Sequence, residues 1–87
     1  MKLEWASPAL RELSSLQNAV QKRIVDKMEW FIVQKDPLSF AKPMKGKRFG
    51  SHRFRIGDYR ILVEVHHGIV QVLLVLAVRH RKDAYRL

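Results

Sequence analysis

Arg53-Phe54-Arg55-Ile56-Gly57-Asp58-Tyr59-Arg60-Ile61 alternates charged and apolar residues on both sides of a Gly-Asp pair. Successive side chains of a strand point to opposite faces, so this period of two marks strands with one buried face. Gly-Asp suits a two-residue hairpin loop. Such a loop sets Ile56 opposite Tyr59, Arg55 opposite Arg60 and Phe54 opposite Ile61, with the arginines on one face and their apolar neighbours on the other. His67-Gly68 is a second turn candidate, followed by an apolar strand from Ile69 to Val78. A two-residue loop there sets Val65 opposite Val70, Val63 opposite Val72, Ile61 opposite Leu74 and Tyr59 opposite Leu76. Every core-side pair is then apolar.

Upstream the period lengthens. Val20, Ile24, Met28, Phe31 and Ile32 recur at helical spacing to about Lys35, where Asp36-Pro37 stops the pattern. Asn18 and Gln21 have the spacing of a capping box at its start. Ser7-Pro8 reads as N-cap and first helical residue of a shorter helix, with Leu10, Leu13 and Leu16 on its apolar side. Lys2 to Ala6 alternates weakly, as a short strand. Asp36 to Gly50 reads as a loop that carries the basic run Lys42, Lys45, Lys47 and Arg48. The expectation is an α+β fold: an N-terminal strand, a helical hairpin, then a three-stranded antiparallel meander, with the helices packed on one face of the sheet. A chain of 87 residues has room for one core, so residues 1–87 are read as a single domain.

Seventeen Lys and Arg against eight Asp and Glu give a net charge of +9, which implies a polyanionic partner. A hydrophobic content of 47% argues for an ordered globule. Cysteine is absent, which excludes a disulfide framework and a thiolate zinc site. The longest apolar run, Val72 to Val78, is far short of the roughly 20 residues that span a bilayer. Met1-Lys2-Leu3-Glu4-Trp5 holds no apolar signal core, so a cytoplasmic location without membrane contact is expected.

The polar face of the meander collects Arg53, Arg55, Arg60, Leu62, Glu64, Gln71, Leu73, Val75, Ala77 and Arg79 in this register. Like charges set opposite one another, as Arg55 and Arg60 are, cost ~0.5 kcal/mol. One reading is a solvated face whose arginine stems lean apart. The other is a phosphate cradle, because the guanidinium fork suits bidentate contacts to phosphate oxygens. In the second reading Leu62, Leu73 and Val75 form an apolar floor that lowers the local dielectric. Arg79 leaves the last strand on the same face. His80, of a residue type that titrates near neutrality, is a candidate proton-transfer group, and Tyr85 is a candidate for base stacking. The sequence holds no carboxylate cluster for magnesium, no Gly-rich phosphate loop and no zinc-ligand spacing. Phosphodiester cleavage by this face is therefore expected without metal or other cofactor. RNA permits that, because its 2′-hydroxyl is a built-in nucleophile.

The stretch Arg53 to Ile61, followed by His80-Arg81-Lys82-Asp83-Ala84-Tyr85, resembles the RelE/ParE toxin superfamily, and Met44-Lys45-Gly46 and the helical hairpin agree with it. The resemblance implies a RelE-like fold and the toxin of a type II toxin–antitoxin system. For the RelE branch it implies a ribosome-dependent endoribonuclease that cleaves mRNA in the A site, contacts ribosomal RNA, and is held inactive by a cognate antitoxin. It assigns catalytic roles to Arg53, Arg55, Arg60, Arg81 and Tyr85, with Arg60 and Arg81 stabilising the transition state and Tyr85 orienting the nucleotide. Arg53 and Arg55 stand where the best-known members carry lysine, and arginine does not release a proton. His80 is the expected substitute base, and Lys45, Lys47, Arg48 and Arg79 are expected to hold RNA. Arg79 also competes with Arg81 for the C-terminal arginine role. Two alternatives remain: the ParE branch, which shares the fold but poisons DNA gyrase, and a non-catalytic RNA-binding module.

Overall fold

Along the chain the computed structural model, which describes residues 1–46 and 49–83, runs β1 (Lys2–Trp5), α1 (Ser7–Ser14), α2 (Asn18–Ile32), a 3-10 turn (Pro37–Phe40), β2 (Ala41–Pro43), β3 (His52–Ile56), β4 (Tyr59–His66) and β5 (Val72–His80). The strands form one sheet in the order β1-β5-β4-β3-β2. β1 lies parallel to β5, and the other neighbours are antiparallel. Both helices pack on one face, as the sequence predicts. Ala9 and Leu13 of α1 and Ile24, Met28 and Phe31 of α2 meet Phe54, Ile56, Ile61, Val63, Leu73, Val75 and Val78 of the sheet. Each large side chain buried there contributes about 1.5–3 kcal/mol, and this contact, more than helix propensity, holds the layers together.

The helix ends differ in detail from the expected caps. α1 already includes Ser7, Ala6 takes the cap position without a side-chain bond, and Pro8 sits in the first turn. Leu10 is 48% exposed, while Ala9 takes a buried place beneath the helix. Gln21 closes no capping box. Its Nε2 donates to the carbonyls of Leu16 (2.7 Å) and Ser14 (3.3 Å), sealing the turn between the helices. α2 stops at Ile32.

The segment read as a plain loop contains structure. Residues 37–40 make the 3-10 turn, and β2 pairs Ala41 with Phe54, Lys42 with Arg53 and Pro43 with His52. A proline ending this strand is tolerated because β2 lies at the sheet edge, where a missing N–H breaks no inner ladder. Gly50 (φ +100°) lies too close to the Val63 carbonyl to admit a side chain, and the neighbouring Ser51 N–H donates to that same oxygen at 2.9 Å.

The first hairpin has the expected register, with Ile56 opposite Tyr59, Arg55 opposite Arg60 and Phe54 opposite Ile61. The second does not. β5 starts at Val72, so Ile69 and Val70 are exposed in a longer connection, Ile61 meets Val78, and Tyr59 meets His80. Between the pairs Leu62–Ala77 and Val63–Val75, β5 carries one extra residue, Leu76. This β-bulge exchanges the faces of the strand. Before it, Leu73 and Val75 point to the helices; after it, Val78 and His80 do. Leu73 and Val75 are therefore core residues and not part of the polar face, whose apolar residues include Leu62, Ala77 and, nearer the start of β5, Leu74.

Candidate anion-binding cleft

The sheet face away from the helices carries cations in two rows. Lys42 lies opposite Arg53, and Arg53 opposite Leu62; Arg55 lies opposite Arg60, and Arg60 opposite Arg79. Directly opposed residues hold their Cβ atoms about 4.5–5.5 Å apart, so Arg55 and Arg60 concentrate positive charge across two strands, with the backbone of Arg79 next in register. Lys42, Arg53, Arg55 and Arg60 line an open cleft of about 470 Å³, completed by Ser39, Phe40, Ala41 and Pro43. None of these wall residues is acidic.

Arg60 is the centre of the row and is only 9% exposed. Its Nη1 donates to the carbonyls of Gly57 and Tyr59, each at 3.1 Å. Among the described residues no carboxylate lies within ion-pair distance of it. Carbonyl dipoles compensate a buried guanidinium only in part, so an anion placed against it would complete the compensation. The Gly57-Asp58 turn orients the group. Gly57 takes φ +57° while Asp58 does not take positive φ, the pattern of a type II′ hairpin loop, and Arg23 of α2 packs against Gly57 where a Cβ would sit.

The same turn places Arg81. Its N–H donates to the Asp58 carbonyl at 2.7 Å, and its Nε lies 3.8 Å from Asp58 Oδ1. Gly57 thus anchors Arg60 and Asp58 anchors Arg81, one residue apart at the hairpin tip. Arg55 is exposed at the cleft, and Arg53 is half-buried beside it.

Arg79 and His80 take a different direction. Arg79 keeps its backbone place opposite Arg60, but its Nε lies 2.8 Å from Glu12 Oε2 on α1, an ion pair without hydrogen-bond alignment. Glu12 Oε1 also accepts the Val78 N–H at 3.1 Å. His80 points to the helix side, with its ring 5.4 Å from that of Tyr59 in an edge contact and its Nδ1 accepting the Lys82 N–H at 3.2 Å. Arg79 and His80 line a second cleft with Glu12, Ser15, Leu16, Tyr59, Val78 and Asp83. The structure therefore separates His80 from Arg55 and Arg60 by the thickness of the sheet. Lys45 is exposed in the connection after β2, which the Met44 N–H to Ser51 carbonyl bond closes at 2.9 Å, and it is not on the cleft wall. Lys47, Arg48 and Tyr85 lie outside the described residues.

Sequence reasoning missed Ser39, Phe40 and Lys42 as cleft walls. Lys42 was visible in the basic run, but its place beside Arg53 depends on pairing of a three-residue strand. No local signal marks Ser39 or Phe40.

The family model described as the ParE toxin of the type II toxin–antitoxin system parDE matches residues 3–85. The chain belongs to this family. Three solved structures are similar over nearly their whole lengths. The RelBE2 toxin–antitoxin complex from Mycobacterium tuberculosis shares 24% identity over 92% of this chain and 96% of that one, with a TM-score of 0.73. The RelB–RelE complex from Methanococcus jannaschii shares 25% over 95% of each chain, with a TM-score of 0.65. The YoeB/ParE toxin from Agrobacterium tumefaciens shares 25% over 92% of this chain and 98% of that one, with a TM-score of 0.63. No curated protein matches the chain. The fold is thus that of RelE-like toxins, and this chain is a toxin of the RelE/ParE superfamily. Among the described residues of this toxin, no helix is long and apolar enough to cross a membrane.

Proposed function

We propose that this toxin is an endoribonuclease that cleaves mRNA in the ribosomal A site, using arginine electrostatics in place of a metal. The observation that carries the reading is Arg60: buried, without a carboxylate partner among the described residues, flanked in register by Arg55 and Arg79, and opening on a cleft with no acidic wall. In the reaction the 2′-oxygen attacks the adjacent phosphorus and gives up its proton to water, while the bond from phosphorus to the 5′-oxygen breaks and that oxygen takes a proton from water. The products are a 2′,3′-cyclic phosphate and a 5′-hydroxyl. Negative charge grows on the non-bridging oxygens, and preorganised donors aimed there stabilise the transition state more than the ground state. Arg60 has that preorganisation, since its Nη1 is held by two carbonyls. Arg55, Arg53 and Lys42 hold the flanking backbone, Arg81 closes over the hairpin tip, and Tyr85 orients the nucleotide. His80 lies across the sheet from this chemistry, so the rate rests on charge stabilisation and positioning rather than on a histidine base.

The net charge of +9 suits ribosomal RNA as the docking surface and an acidic or amphipathic antitoxin segment as the inhibitor that covers the cleft. Solved relatives that are toxin–antitoxin complexes support such a partner. Inhibition of DNA gyrase is a second reading, favoured by the ParE description of the matching family. Induced expression in a bacterial host, with mapping of mRNA 5′ ends and inspection of the chromosome, separates the two. Growth arrest with new 5′ ends at A-site codons, lost in Arg60→Ala and Arg81→Ala, supports the ribonuclease. Arrest with intact transcripts and broken chromosomes overturns it.

A further inference from the structure

Phe40 ends the 3-10 turn at the lip of the arginine cleft, directly before β2. It lines that cleft and yet is 45% exposed. Its neighbours hold it firmly. The ring lies 5.3 Å from Trp30 at 72° and 5.3 Å from Phe31, and Phe31 stacks at 4.7 Å on Phe54, which is wholly buried. The backbone is held on both sides, because Ser39 Oγ donates to the Asp36 carbonyl at 2.7 Å and Ala41 pairs with Phe54. An aromatic chain therefore runs from the core to the edge of a cationic cleft and ends in a ring that packs on Trp30 and Phe31 while nearly half of its residue stays exposed. Leaving such a ring in water is unfavourable, and a flat π-surface laid on it removes that cost.

A single-stranded nucleotide presents the matching parts, a phosphate for the guanidinium groups and a base face for the ring. We propose that Phe40 is the stacking platform for a nucleobase next to the phosphate gripped by Arg55 and Arg60, forming a base subsite on the β2 side of the cleft. The proposal rests on the reading of the cleft as an RNA site. Stacking reads no hydrogen-bond pattern, so the subsite accepts every base and favours the larger face of purines.

The test uses the full chain, the variants Phe40→Leu, Phe40→Trp and Arg60→Ala, and short single-stranded 2′-O-methyl RNA probes that resist cleavage. One probe is intact, and the others lack one base each. Leucine keeps apolar packing on Trp30 and Phe31 but removes the π-face, and thermal melting checks that each variant folds. Phe40→Leu is expected to weaken the intact probe about tenfold, with Phe40→Trp restoring it and the difference vanishing on the probe that lacks the stacked base. An equal loss on every probe, or no loss at all, overturns the platform. If Arg60→Ala weakens all probes while Phe40→Leu binds as the parent does, the RNA site stands and the platform falls. If the parent binds no probe, both fall.

Discussion

Arg60 joins burial to a charge that has no carboxylate partner among the described residues, and the two together make it the most sensitive residue of the cleft. Arg60→Ala is expected to reduce mRNA cleavage by about 10²–10³-fold, the usual loss for one preorganised transition-state donor. Arg60→Lys should recover only a small part, because an ammonium cannot reproduce the fork that spans two oxygens. Both are measured as the yield of new 5′ ends at equal protein level. Folding should change little, within about 1 kcal/mol, since the lost bonds to the Gly57 and Tyr59 carbonyls are offset by relief from Arg55. A thermal melt of Arg60→Ala checks this. This residue was legible in the sequence, because its place depends only on a Gly-Asp turn and a period of two. His80 was not, because its face depends on how many residues precede it in a bulged strand.

Among the elements, β5 decides most. It lies between β1 and β4, and its apolar run Val72–Val78 gives no polarity alternation from which to read a phase. The bulge at Leu76 sets the phase instead. Leu73→Ala is accordingly expected to cost about 2–5 kcal/mol, and Leu74→Ala, on the half-buried outer face, clearly less. Denaturant unfolding of the pair checks the register, and the reverse order would place the bulge elsewhere. Beyond the end of β1, the free edge of β5 is closed by Glu12, which accepts the Val78 N–H and holds Arg79. Glu12→Ala leaves that N–H without its acceptor and is expected to cost about 1–2 kcal/mol. Glu12→Gln keeps an acceptor oxygen and loses only a partly exposed ion pair, so its cost should be smaller. Equal losses in unfolding experiments would show that the ion pair carries the contact.

At the scale of the whole molecule the sheet divides the chemistry: helices and core on one side, cationic rows on the other. If Lys42, Arg53, Arg55 and Arg60 hold RNA phosphates, the logarithm of the binding constant should fall with the logarithm of salt concentration with a slope of about −2 to −3. Arg55→Ala should flatten that slope by about 0.7. A slope near zero would mean that the cleft does not hold phosphates. Amino-acid order alone was enough for the layered α+β architecture, the first hairpin and the opposed Arg55 and Arg60, because each follows from neighbours close along the chain. Folding was needed to settle which apolar residues of β5 face the helices, to add β2 with Lys42 and Phe40 to the cleft, and to turn Arg79 and His80 away from it. Those outcomes come from pairing between distant segments, where a bulge of one residue or an edge strand of three reverses a face without leaving a local mark.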